Sequence, residues 1–192
     1  LGDGMHAQWI DAGVRLAGGH VTVESPAFRR SASLDDRLDS AAAGGVAHAV
    51  ANPKVARFVA AAAPRLTVSA LASSASSALP VQVLGVDPAA ELRFSALPEK
   101  LIAGRWLADT DVTAAVVGQG LVDRLGLTLG SRFVLTAQTA HGDVQEQLVH
   151  VTGIFRTGIR EVDEGMIDIP MATARGWLAA PGAVTSEAIL LR

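Results

Sequence analysis

The chain has 192 residues, enough for one large domain or two small lobes, and a chain of that length buries roughly 70% of its unfolded surface without covalent staples. Zero cysteines exclude disulfides and thiolate chemistry. A formal net charge of -3 makes no electrostatic case for nucleic acid, and 4% aromatic residues supply no base-stacking platform.

The chain starts at Leu1 with no Met, no basic leader and no cleavage site, and stops at Arg192 just after an apolar strand. That pattern predicts a piece excised from a longer protein. The longest uncharged run, Leu66 to Val86, is long enough to span a bilayer, but its serines, Pro80 and Gln82 make it too polar.

Leu1 to Leu16 reads as an amphipathic helix, with Met5, Trp9, Gly13 and Leu16 on one face and Gly18-Gly19 as its stop. His20 to Glu24 alternates as a strand does, and Pro26 closes it. Phe28 to Asp39 is rich in Arg and Asp and reads as a surface loop. Asp39 to Ala51 is Ala-rich and helical by propensity despite Gly44-Gly45, and Asn52-Pro53 ends it. Pro64 to Val86 predicts a long antiparallel hairpin with Ser73 to Ala78 at its tip. Asp87-Pro88 breaks it, and Ala89 to Leu97 reads as a short helix and loop.

Ile102 to Leu107 then carries Gly104-Arg105-Trp106 into an acidic stretch holding Asp109 and Asp111. Thr113 to Val117 predicts a buried strand. Leu121, Val122 and Leu125 share one face of a short helix, and Gly126 is its C-terminal glycine. Arg132 to Thr136 and Gln145 to Ile154 are strands joined by a turn at His141-Gly142-Asp143. Met171, Ala174 and Leu178 share a helical face behind Pro170, whose missing amide is harmless in a first turn. Thr185 to Leu191 is a last strand.

The chain is organised around Val149 to Asp168. An apolar β-branched half leads to a polar corner, and Met166-Ile167-Asp168-Ile169 returns to strand character. A strand, a corner and a second strand bring Arg156, Arg160, Glu161 and Asp163 close together. As chemistry, the cluster reads as a salt-bridged corner.

Other chemistry is thin. Gly118-Gln119-Gly120 follows a strand as a nucleotide loop does, but position 123 is Asp, which repels a pyrophosphate. No Walker lysine motif and no Gly-x-Ser-x-Gly elbow occurs. The five histidines lie too far apart for a metal spacing. Asp109 and Asp111 with Glu161 and Asp163 form a conceivable acid–base pair, but a solvated acidic loop is the simpler reading. Trp9, Trp106 and Trp177 read as partly buried anchors with bonded indole nitrogens.

The order of motifs along the chain resembles the extracytoplasmic domain of ABC-transporter permeases of the MacB and lipoprotein-release type, in the FtsX-like family. The residues that carry the resemblance are Gly19-His20 opening a strand, Val-Asp-Pro at Val86 to Pro88, and Gly104-Arg105-Trp106. Val116-Val117-Gly118 and Leu125-Gly126-Leu127 follow, then Gly153-Ile154-Phe155, Thr157-Gly158 and Glu161-x-Asp163.

The resemblance implies an α+β fold in two lobes. Residues 1–18 are a stalk helix continuing a transmembrane helix. Residues 19–86 and 150–192 make a membrane-proximal α+β lobe, and residues 87–149 an inserted β-rich lobe. It implies no catalysis and no cofactor, ATP being bound by a separate nucleotide-binding subunit or domain. The domain stands on the outer side of the bacterial inner membrane and passes ATP-driven movement to a lipoprotein or other substrate. Its partners are its own transmembrane helices, a second permease copy or paralogue, the cytoplasmic ATPase through those helices, and a lipoprotein or a periplasmic adaptor or carrier. Nucleic acid is not among them.

The resemblance favours lipoprotein release. An efflux permease domain working with an adaptor and a free-standing binding module are the alternatives. Candidate motif or contact residues are Trp9, Gly104, Arg105, Trp106, Thr157, Gly158, Glu161 and Asp163. The Met5/Trp9 face of the leading helix is expected to be the poorest packed surface.

Overall fold

Strand β2 (Val59–Ser73) is the longest among the described residues, and the sheet is built outward from it. A computed structural model describes residues 18–192. The segment expected as a leading helix, with Met5 and Trp9, lies outside the described residues.

β2 runs into a tight turn, where the Ser74 amide donates to the Ser77 carbonyl at 2.8 Å, and returns as β3 (Ala78–Val86). The two strands pair antiparallel from Arg65↔Val86 to Ser73↔Ala78. The expected hairpin is present, and its first strand extends back to Val59.

Six strands then close on themselves. β3 pairs in parallel with β8 (Met166–Pro170), and β8 pairs antiparallel with β5 (Ala114–Gly118). β5 pairs in parallel with β7 (Val144–Phe155), β7 pairs with β6 (Arg132–Gln138), and β6 returns to the far end of β2 at Leu71↔Thr136. Closure removes most free edges of these strands. It also divides their side chains by the two-residue period into an inside and an outside.

The inside is aliphatic. Leu66 and Val68 of β2 face it with Val81 and Val83 of β3, Ile167 and Ile169 of β8, and Ala115 and Val117 of β5. Val149 and Val151 of β7 and Phe133 and Leu135 of β6 complete the lining. Each fully buried large apolar side chain there contributes about 1.5–3 kcal/mol relative to exposure.

Two short helices add to this core. α5 (Gln119–Leu125) supplies Leu121, Val122 and Leu125, and α7 (Met171–Trp177) supplies Met171, Ala174 and Trp177. Ala174 comes so close to Gly85 that a Cβ at position 85 would overlap it.

A second layer covers part of the outside. β9 (Ser186–Leu191) pairs with the first half of β2, and β1 (Val21–Glu24) pairs with β9. α4 (Pro88–Phe94) packs Ala90 and Phe94 against Ala63 and Ala188. Asp87 caps this helix by accepting from the Ala90 amide at 2.8 Å. β4 (Leu101–Gly104) lies beside β7, and Trp106, Leu107 and Phe155 fill a cluster with Leu84, Val86 and Val116.

The segment expected as a surface loop after Pro26 is more ordered than its composition suggests. It holds α1 (Phe28–Ser31) and a 3-10 turn at Leu34–Asp36, because Phe28, Leu34 and Leu38 are buried. α2 (Ser40–Ala51) follows as expected, capped by Asp39, and leads into α3 (Pro53–Ala56). The expected boundary at 87 falls between β3 and α4, and one sheet continues through both expected lobes. Val149 lies in mid-β7, and β6 pairs with β2 across the first boundary.

Candidate functional site

The polar corner contains a helix where the residue string suggested a plain turn. α6 (Arg160–Gly165) fills it between β7 and β8. Asp163 organises the loop that leads in. Its carboxylate accepts from the Thr157 amide at 2.7 Å, the Thr157 hydroxyl at 2.8 Å and the Gly158 amide at 3.0 Å. Gly158 has φ +83°, where a side chain is strained. Thr157, Gly158 and Asp163 are therefore one loop-closing unit.

Glu164 ties the corner to α5, accepting from Arg160 Nε at 2.8 Å and Arg124 Nη1 at 3.2 Å. Arg156, Arg160, Asp163 and Glu164 line an open cleft with Gln119 and Asp123, while Glu161 stays on the exposed side of its helix. Arg124 and Arg160 both pair with Glu164, and exposed pairs of this kind contribute about 0–1 kcal/mol each.

The glycines of Gly118-Gln119-Gly120 have a packing role. A Cβ at Gly118 would overlap the Asp163 carbonyl oxygen, and one at Gly120 would come within 2.7 Å of Glu164 Cγ. The tight strand-to-helix turn exists so that α5 can lie against α6.

Gly104-Arg105-Trp106 is likewise part of the fabric. Gly104 has φ +74°, and a Cβ there would overlap the Thr152 carbonyl oxygen. Arg105 grips Asp111 with two bonds of 2.7 and 2.8 Å, and the Ala108 amide donates to the same carboxylate at 2.8 Å. The bonds from Arg105, ahead of the Ala108 amide, hold the Asp111 carboxyl below its ordinary range. Trp106 is buried, and its indole N–H points at the Pro88 carbonyl oxygen at 3.4 Å. Trp177 is also buried, and its indole N–H donates to the Gln145 carbonyl oxygen at 3.1 Å. Asp111 and Asp163 are each occupied by local donors. Among the described residues, no group of three or more His, Asp or Glu side chains is placed to hold a metal ion.

A buried cluster of charged side chains is one that pattern reading missed. Arg65 of β2 donates to Glu91 of α4 at 2.7 and 3.2 Å, both side chains are buried, and the guanidinium lies 5.0 Å from the Phe94 ring centroid. Asp168 of β8 sits on the same outer face of the barrel wall, in register with Leu84 and Val116. It is 1% exposed, and its Oδ1 has no partner among the described residues. Burial, reinforced by the Glu91 anion and opposed by Arg65, pushes its carboxyl up to about 8. Burial also raises Glu187 of β9. The signal for Asp168 was present as a lone acid in Met166-Ile167-Asp168-Ile169. Alternation correctly turns it away from the barrel interior, but it cannot reveal that a second layer covers that side.

No family model matches the sequence. Solved structures do resemble the fold. The periplasmic region of MacB from Actinobacillus actinomycetemcomitans matches with a TM-score of 0.58 at 13% identity, over 91% of this chain and 72% of that one. The chain has the fold of the MacB periplasmic region. The extracellular domain of the noncanonic ABC-type transporter YknZ from Gram-positive bacteria matches with a TM-score of 0.53 at 16% identity. That match covers 70% of this chain, which spans 66% of the YknZ domain. In this MacB-like fold the motif residues Gly104, Arg105, Trp106, Thr157, Gly158 and Asp163 are explained by turns and local bonds. Among the described residues no helix is long and apolar enough to cross a membrane.

Proposed function

We propose that this chain is the extracytoplasmic domain of an ABC-transporter permease of the MacB and lipoprotein-release type. It carries out no chemistry, stands on the outer side of the inner membrane, and passes ATP-driven movement to a transported lipoprotein or other substrate. The fold likeness to the MacB and YknZ domains is the observation that carries this reading.

The packing supports a mechanical role. A closed ring of strands with an aliphatic interior moves as a body, because packed cores resist continuous deformation. The two ends of the described chain also lie together. The Leu191 amide donates to His20 Nδ1 at 3.1 Å, and Gly19 bridges Ile189. Force arriving through helices joined to those ends would enter the body at one place. ATP belongs to a separate subunit or domain in this reading, and the working partners are the permease's own membrane helices and a second permease copy.

Lipoprotein release is favoured by the Gly19-His20 strand opening and the Thr157-Gly158 to Asp163 corner. The tight β2–β3 turn offers no extended hook for a carrier at that tip. The efflux reading, with a periplasmic adaptor, draws on the likeness to MacB over 91% of the chain.

The test is removal of the domain from its parent transporter, with a short linker in its place. Transport is expected to stop while the ATPase subunit still hydrolyses ATP. Undiminished transport, or turnover of a small molecule by the isolated chain, would overturn the proposal. Lipoprotein release and adaptor-dependent efflux are separated by which cargo accumulates when the domain is removed.

A further inference from the structure

One surface of the molecule combines exposed apolar side chains with cations that form no ion pair among the described residues. Val55 is 42% exposed, Phe58 57% and Leu191 40%. They come together at the start of β2: the Arg192 amide donates to the Phe58 carbonyl at 2.9 Å, the Phe58 amide donates to the Val55 carbonyl at 2.9 Å, and Leu191 lies in register with Val59. Lys54, Arg57 and Arg192 sit among them. The Arg57 guanidinium lies 4.6 Å from the Phe58 ring centroid, and Arg192 Nε donates to the Val59 carbonyl at 3.1 Å. The preceding helix α2 buries none of its residues and carries one titratable side chain, His48. Upstream of Lys54 the nearest acid, Asp39, caps the far end of that helix, roughly 18 Å away at 1.5 Å per residue, and Glu187, four residues before Leu191 on β9, is buried.

We propose that the patch formed by Val55, Phe58 and Leu191 with Lys54, Arg57 and Arg192 docks on the surface of an anionic lipid bilayer. The inference rests on the permease reading for its geometry, since the patch surrounds the place where both described chain ends emerge. The composition suits the site. A Phe ring and short aliphatics enter the boundary between headgroups and acyl chains, while Lys and Arg reach the phosphates. A second copy of the chain fits less well, because apposing two such patches sets three cations against three.

The contact would give the domain a resting position against the membrane. A patch of this size binds reversibly, so ATP-driven movement can lift it away.

The test uses the 192-residue chain in sedimentation with vesicles of phosphatidylcholine alone and of phosphatidylcholine with phosphatidylglycerol. Association is expected with the anionic vesicles and is expected to weaken as salt rises. Lys54→Gln and Arg57→Gln should each lower it roughly fivefold, and Val55→Ser with Phe58→Ser at least about tenfold. Val144→Ser, at a 70% exposed position on the β6–β7 hairpin, should leave it unchanged. Circular dichroism checks that each variant folds.

No association with anionic vesicles overturns the inference. So does an equal loss from Val144→Ser, or a dimer in solution that Phe58→Ser dissociates. If vesicle binding fails while removal of the domain still stops transport, this inference falls and the permease reading stands.

Discussion

Asp168→Asn exchanges an ionisable buried group for a neutral one of the same shape. In the folded protein the Asp168 carboxyl is raised from its ordinary 3.8 to about 8, first by burial and then by the Glu91 anion, with Arg65 opposing. The folded state therefore holds this proton more tightly than the unfolded state does. The stabilising contribution is complete below about pH 4 and is lost as pH rises through about 8. At about 1.36 kcal/mol per pKa unit the whole loss is about 6 kcal/mol, of which about 4 kcal/mol has gone by pH 7. The Asp168→Asn protein lacks this linkage, so it should gain on the wild type by up to that amount between about pH 4 and pH 9. The assay is urea unfolding across that range, followed by the fluorescence of buried Trp106 and Trp177. Glu187 is also raised by burial and leaves a slope of the same sign in both proteins. Parallel stability curves for wild type and variant would refute the reasoning.

Arg65→Ala leaves Glu91 buried without its partner and is expected to cost about 3–5 kcal/mol in the same unfolding assay. Arg65→Met combined with Glu91→Leu should recover most of that loss, because no buried charge is left unpaired. Asp163→Ala is expected to cost about 1–2 kcal/mol and to strip hydrogen-exchange protection from the Thr157 and Gly158 amides; unchanged protection would mean that the carboxylate does not hold the loop. Gly118→Ala drives a methyl group into the Asp163 carbonyl and should cost about 1–3 kcal/mol, read as a lower urea midpoint. Leu135→Ala inside the barrel should cost about 2–5 kcal/mol.

Much of the secondary structure could be read from the residues alone. Leu66, Val68 and Ala70 alternate against Val81, Val83 and Gly85, and the serines between them mark the turn, so the hairpin needed only local information. The helix at Gln119–Leu125 was visible from Leu121, Val122 and Leu125 with Gly126 behind them. The helix at Arg160–Gly165 was not, because a helix of one and a half turns leaves too short a period to recognise. The burial of Phe28 and Leu34 in an Arg- and Asp-rich segment was also hidden, since what covers them comes from elsewhere in the chain.

The sequence by itself determined most of the strands and the hairpin turns, because those follow from a two-residue alternation that neighbouring residues enforce. Only the tertiary structure decided that β6 meets β2, far away along the chain, and closes the ring. That closure, and the second layer laid over it, turned Asp168 from an outward-facing acid into a buried one beside Arg65 and Glu91. It also made Gly118 and Gly120 points of contact with α6. Burial is a property of what the rest of the chain brings to a residue, and no local pattern contains it.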